Sequence, residues 1–200
     1  METQELLNQA KSGDAIALGE LLEQHRAYMR LLARQEIGRQ LQGKVGASDV
    51  VQEVFLKAHR QFAQFQGSAV PQFESWLQTI LAGTLANTIR HYLGTKARNL
   101  QLEREMIVRF DQSTHGLNHL AVDPHSSPSQ HVAGSELGRM VAEAMTRLPE
   151  DYQDVLTLRH LEGLTFPQIA ERLGRTVDSV EKLWLRGITK LRRQFAREES

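Results

Sequence analysis

The sequence predicts an all-α protein of two small helical domains, at 1–110 and 135–200, joined by a flexible linker at 111–134. Three observations carry that expectation. Apolar residues recur at helical spacing in both halves, as in Leu18, Leu21, Leu22, Tyr28, Met29 and Leu32. No stretch alternates like a half-buried strand, and aromatics are only 6% of the chain, which suits helices better than a sandwich. Between the halves, DQSTHGLNHLAVDPHSSPSQHVAG is rich in Ser, Pro, Gly and His, with little periodicity and no basic residue.

Asp14 is placed to cap the helix that carries Leu18 to Leu32. Gly38, Gly43 and Gly46 loosen the next stretch into a loop. Ser48 can cap a second helix with Val51, Val54, Phe55, Ala58 and Phe62 on one face. Gly67, Ser68 and Pro71 read as a turn. A third, longer helix follows with Phe73, Trp76, Leu77, Ile80, Leu85, Ile89 and Tyr92 inward, completing a bundle of three to four helices. After the linker, Leu137, Met140, Val141, Ala144, Met145 and Leu148 share a face. Pro149 ends that helix, and Tyr152, Val155, Leu156 and Leu161 form the next, which Gly163 stops.

Composition excludes several classes. The chain has no cysteine, which removes disulfides, thiolate zinc sites and cysteine nucleophiles and fits a reducing cytoplasm. METQELLNQA lacks the basic flank and apolar run of a signal peptide, and no apolar run is long enough to span a membrane. His115 and His119 lie four apart, but no carboxylate or cysteine completes a ligand pattern, so no metal or other cofactor is expected. His25, His59 and His160 fall within helices, where a surface or edge place is expected rather than catalysis. No catalytic order of Ser, His and Asp and no phosphate-cradling loop is present, so no enzyme is predicted.

Net charge is zero, from 24 basic and 24 acidic residues, but it is unevenly placed. Arg175 to Arg197 holds seven basic residues against Asp178 and Glu181, net +5, and Arg90 to Arg109 is net +3. The remainder is therefore net −8. Two basic segments on an acidic body suggest two contacts with a polyanion, although two solvated helix faces would look the same.

The second basic segment coincides with a punctuated helix pair. Thr165-Phe166-Pro167-Gln168 is a capping-box pattern with proline in the first turn. Ile169, Ala170 and Leu173 lead to Gly174, a natural stop. Thr176 can cap a second helix with Val177, Val180, Trp184, Ile188, Leu191 and Phe195 inward. This is the layout of a helix-turn-helix, whose second helix enters the major groove. Asp178, Ser179 and Lys182 are placed for base edges, and Arg175, Arg186 and Lys190 for phosphates. Two packed helices of an ordinary bundle would share the spacing; the basic excess and the cap-stop-cap order favour DNA.

LPEDYQDVLTLRHLEGLTFPQIAERLGRTVDSVEKLWLRGITKLRR, from Leu148 to Arg193, resembles the promoter-reading C-terminal domain of extracytoplasmic-function sigma factors. SDVVQEVF, from Ser48 to Phe55, is similar to that family's Asp-x-x-Gln-Glu-x-Phe signature, and Phe73-Glu74-Ser75-Trp76-Leu77 resembles its next helix. The resemblance implies a sigma factor that carries core RNA polymerase to promoters. It implies that Asp49, Gln52 and Glu53 face the clamp coiled coil of the largest polymerase subunit, with the flap region as a second polymerase contact. It further implies that the loop from Gly67 to Gln72 and the Trp76 helix, through Gln72, Gln78, Asn87, Arg90 and His91, take the melted minus-ten strand, while Arg175, Thr176, Asp178, Ser179, Lys182, Arg186 and Lys190 take the minus-thirty-five duplex. An anti-sigma factor is a further partner that the resemblance admits. Thr79, Ala82 and Gly83 stand where the family usually has Arg, Arg and Asn, which predicts weaker engagement of the melted strand. Alternatives are a helix-turn-helix regulator that is not a polymerase subunit, for which the Asp49-Gln52-Glu53 face has no use, and an adaptor of the same fold that no longer binds DNA.

Overall fold

The computed structural model describes residues 2–40, 45–93, 100–121 and 134–198. Among the described residues there is no strand, and no helix is long and apolar enough to cross a membrane. The chain divides into two compact units, Met1–Phe110 and Asp111–Ser200.

The first unit begins with α1 (Thr3–Lys11), a helix that the sequence pattern did not announce. It is short, and its apolar set is only Leu6, Leu7 and Ala10, all buried. Asp14 is a cap as expected, its Oδ1 accepting from the Ile16 and Ala17 amides at 2.8 and 3.1 Å, but the single helix expected through Leu32 ends as α2 (Ala15–Gln24) and breaks at His25. α3 (Arg26–Gln40) runs through Gly38, so the loop expected from that glycine does not start there; Gly43 lies outside the described residues. α4 (Ala47–Gln61) is capped at Gly46, not Ser48. A Cβ on Gly46 would sit 2.7 Å from Asp49 Oδ2, the tip of an exposed side chain that can swing aside, so the cap does not demand glycine. Val50, Val51, Val54, Phe55 and Ala58 are the buried face of α4.

A short turn at Phe62–Gln64 leads into α5 (Val70–Leu93). Gln72 Oε1 accepts from the amides of Ser68 and Ala69 at 2.7 and 3.1 Å, satisfying donors ahead of the helix start. The buried stripe of α5 advances by fours through Phe73, Leu77, Leu81, Leu85 and Ile89. Tyr92 falls off that stripe and is 48% exposed, contrary to its expected inward place. Phe62, Phe65, Phe73 and Trp76 form one aromatic cluster with centroids 5.2–6.2 Å apart, so Trp76 packs as expected. His25 is wholly buried beside Phe73, not at a surface or edge; its Nδ1 lies 2.7 Å from the Leu21 carbonyl and its Nε2 3.4 Å from Glu74 Oε1.

α6 (Leu100–Ala121) crosses the division between the units. In the first unit it buries Met106 and Phe110. In the second it buries Ser113, Leu117 and Leu120. Residues 111–121 are thus helical where an irregular linker was expected; residues 122–133 lie outside the described set. Gly116, read from the sequence as a helix weakener, has a packing purpose: a Cβ there would run into the His160 carbonyl.

In the second unit α7 (Gly134–Thr146) buries Val141, Ala142, Ala144 and Met145, while Met140 is 42% exposed instead of inward. α8 (Glu150–Leu156) starts after Pro149 and widens into a π turn at Thr157–Leu161. α9 (Phe166–Leu173) and α10 (Val177–Glu198) close the unit. Val155, Leu158, Ile169, Ala170 and Val180 form a core, with Leu164, Phe166, Leu173, Leu183 and Trp184 packed on it.

Candidate nucleic-acid interface

The turn between α9 and α10 is fixed by local chemistry. Gln168 Oε1 accepts from the Thr165 amide and hydroxyl, both at 2.8 Å, completing the box at the start of α9. Gly174 adopts φ +63°, a left-handed conformation that suits glycine, and the next amide, of Arg175, donates to the Ala170 carbonyl at 2.9 Å. Thr176 Oγ1 then accepts from the Ser179 amide at 3.2 Å. Cap, stop and cap therefore stand where the sequence placed them. Ala170 is small and buried where α10 crosses, and Gly187 performs the same service against α8, where a Cβ would meet Leu156 and Tyr152 at 3.3 Å.

α10 is two-faced. Val180, Ile188 and Leu191 are buried and Trp184 is half-buried, its Nε1 donating to His160 Nε2 at 3.0 Å. Val177, expected inward, is 38% exposed in the first turn; the side chain of Phe195 lies outside the described set. Arg175, Thr176, Asp178, Lys182, Arg186 and Lys190 are exposed, and Ser179 is half-buried. Two of the cations already have carboxylate partners: Arg175 Nη2 with Asp151 Oδ1 at 2.9 Å, and Lys182 Nζ with Asp178 Oδ2 at 2.7 Å. An exposed basic face on a helix held from behind by a packed core suits a polyanionic groove.

On α4 the side chains of Asp49, Gln52 and Glu53 are exposed together, with Glu53 paired to Lys57 at 2.7 Å. Leu56 belongs to the same face and is 53% exposed, a residue that the sequence reading missed. The signal was present: Leu56 stands four after Gln52 and three after Glu53, out of phase with the buried stripe of α4.

The surface of α5 requires one correction. Gln78, expected to face nucleic acid, is instead 5% exposed, and its Nε2 donates to the Tyr28 hydroxyl at 2.7 Å. It follows Glu74 by one turn on the inner side of the helix, and an amide there is held only because Tyr28 satisfies it. Asn87 and His91 are exposed and Arg90 is half-buried, its guanidinium donating to Asn87 Oδ1. Gln72 is exposed, with its carbonyl committed to the cap. Thr79 turns its hydroxyl back to the Ser75 carbonyl at 2.9 Å, Ala82 is wholly buried and Gly83 is half-buried.

Comparison with known proteins bears on what these faces serve. Residues 21–94 match the family model for Sigma-70 region 2, and residues 138–191 match that for Sigma-70, region 4. The ECF RNA polymerase sigma-E factor of Haemophilus influenzae is 31% identical over 180 residues, covering 88% of this chain and 86% of the relative. The chain belongs to the extracytoplasmic-function sigma factors. Other relatives agree. The ECF RNA polymerase sigma factor BldN of Streptomyces coelicolor is 28% identical over 191 residues, 94% of this chain and 64% of that protein. The sigma-E factor of Escherichia coli K12 is 31% identical over 132 residues, 66% of this chain and 64% of that protein. A solved structure of the RsbN-BldN complex aligns over 94% of this chain and 98% of its own, at 22% identity and a TM-score of 0.32, too low to bear on the fold. In this sigma factor the region 2 match takes in α4 and α5, and the region 4 match takes in α8, α9 and most of α10.

Proposed function

We propose a residue-level division of the work by which this sigma factor binds core RNA polymerase and directs it to promoters. The face of α4 formed by Asp49, Gln52, Glu53 and Leu56 meets the clamp coiled coil of the largest subunit. Its carboxylates suit a basic helical partner and steer the approach, and Leu56 supplies an apolar anchor. The loop before α5 and the exposed residues Gln72, Asn87, Arg90 and His91 take the melted minus-ten strand; Gln78 is left out, because it lies in the core. The exposed face of α10 reads the minus-thirty-five duplex, with Asp178, Ser179 and Lys182 at base edges and Arg175, Thr176, Arg186 and Lys190 at the backbone. The second unit also meets the flap region, and an anti-sigma factor regulates the whole. The protein works in the cytoplasm beside the polymerase, and it performs no catalysis of its own.

The observation that carries this reading is α10: a capped helix with one face packed and the other exposed and basic. The experiment pairs one variant from each unit. Asp49→Ala with Glu53→Arg should weaken binding to core polymerase and leave duplex binding by the other unit unchanged. Arg186→Ala should weaken every duplex about equally and reduce the salt slope by about one phosphate's worth. Wild-type polymerase binding in the first variant, or wild-type duplex binding in the second, counts against the corresponding assignment.

A further inference from the structure

Asp178 is an odd residue to find beside DNA. It lies in the first turn of α10 with 73% of its side chain exposed, where a carboxylate repels phosphate and accepts nothing from it. As an element of stability it does little, because an exposed ion pair one turn apart on a helix is weakened by water and salt. Its geometry is more informative. Asp178 Oδ2 and Lys182 Nζ stand 2.7 Å apart on the exposed face, an acceptor and a donor side by side.

The major-groove edge of a C·G pair presents the complementary arrangement. The cytosine N4 amino group donates, the guanine O6 accepts, and the two lie about one hydrogen-bond length apart, with guanine N7 as a second acceptor beyond. The A·T edge also has a donor, adenine N6, but it is flanked on both sides by acceptors that repel a carboxylate. Cytosine N4 ends its row, so a carboxylate there meets one acceptor neighbour instead of two. We propose that Asp178 and Lys182 act as one unit that reads a single C·G base pair of the minus-thirty-five element, Asp178 accepting from cytosine N4 and Lys182 donating to guanine O6 and N7. The inference rests on α10 being the helix that enters the major groove. In the free protein the two groups satisfy each other. On DNA the same two groups form a closed ring of hydrogen bonds with the base pair. Asp178 is then a specificity residue whose negative charge penalises every other base pair at that position.

The test uses the full chain bound to core polymerase and a pool of duplexes randomised across the minus-thirty-five region, with retained sequences counted. Wild type should fix one position as C·G. Asp178→Ala and Lys182→Ala should each relax that same position by roughly tenfold or more and leave the others as they were. The exchange variant, Asp178→Lys with Lys182→Asp, keeps the helix pair and should invert the preference to G·C at that position. An exchange variant that keeps the original preference, or single variants that shift all positions alike, overturns the proposal. Arg186→Ala separates the two levels. If it weakens all duplexes while the Asp178 and Lys182 variants change no position, the pair fails and the reading of α10 stands. If it too leaves every duplex unaffected, the reading of α10 fails and the pair falls with it.

Discussion

Glu36 exposes none of its side chain, yet it stays in the interior of the first unit because Arg109 lays its guanidinium across both carboxylate oxygens at 2.8 Å. That hydrogen-bonded fork, more than any other influence, holds the Arg109 pKa above its usual value, so Arg109 keeps its charge throughout the working range of pH. Removing one partner leaves a buried charge alone. Arg109→Met should cost about 3–5 kcal/mol in urea unfolding followed by far-ultraviolet circular dichroism, and Glu36→Met added to it should recover much of the loss. Gln78 makes the same point with neutral groups. Gln78→Leu should cost about 1–3 kcal/mol, because it removes a buried hydrogen bond to the Tyr28 hydroxyl, and at a temperature where the variant is folded it should bind melted-strand DNA as wild type does. A sequence lists a glutamine on a helix as polar and therefore outward. Only the position of Tyr28, fifty residues earlier, reveals that its partner lies inside. His25 was misjudged for the same reason: its companions, Phe73 and Glu74, are distant in the chain.

At the scale of elements, the helix-turn-helix was legible because its signals are local. Thr165, Gln168, Gly174 and Thr176 each act on backbone groups within a few residues. α6 is not announced by the sequence pattern, and its second half advertises poorly. Ser113 is polar yet buried, Gly116 usually argues against a helix, and only Phe110, Leu117 and Leu120 keep the spacing. The three-residue apolar set of α1 was too small to call attention to itself. Gly116 yields a test. Because the obstacle to a Cβ is the backbone carbonyl of His160 rather than a flexible side-chain tip, Gly116→Ala should destabilise the second unit by about 1–3 kcal/mol despite the better helix propensity of alanine. Gly187→Ala meets only side-chain atoms at 3.3 Å and should cost less in the same thermal unfolding experiment.

For the whole molecule, charge is divided so that its zero total conceals two kinds of contact. On the proposed division of work, duplex binding through Arg186 and Lys190 is a matter of displaced counterions and should fall steeply with salt. The proposed polymerase contact through α4 mixes carboxylates with Leu56, and its apolar part should survive salt. Leu56→Asp should therefore weaken polymerase binding by about tenfold or more at high and low salt alike, since truncating a central anchor costs upward of about 1–2 kcal/mol. A loss confined to low salt would assign the contact to charge alone.

The chain's two tryptophans fall one to each unit. Trp76 sits among phenylalanines and Trp184 donates its indole proton to His160. They differ in polarity and in hydrogen bonding, so their emission should differ in colour and in quenching. With Trp76→Phe the remaining light reports the unit that carries α10, and with Trp184→Phe it reports the unit that carries α4. The two units thereby become separate optical channels in an otherwise unlabelled protein.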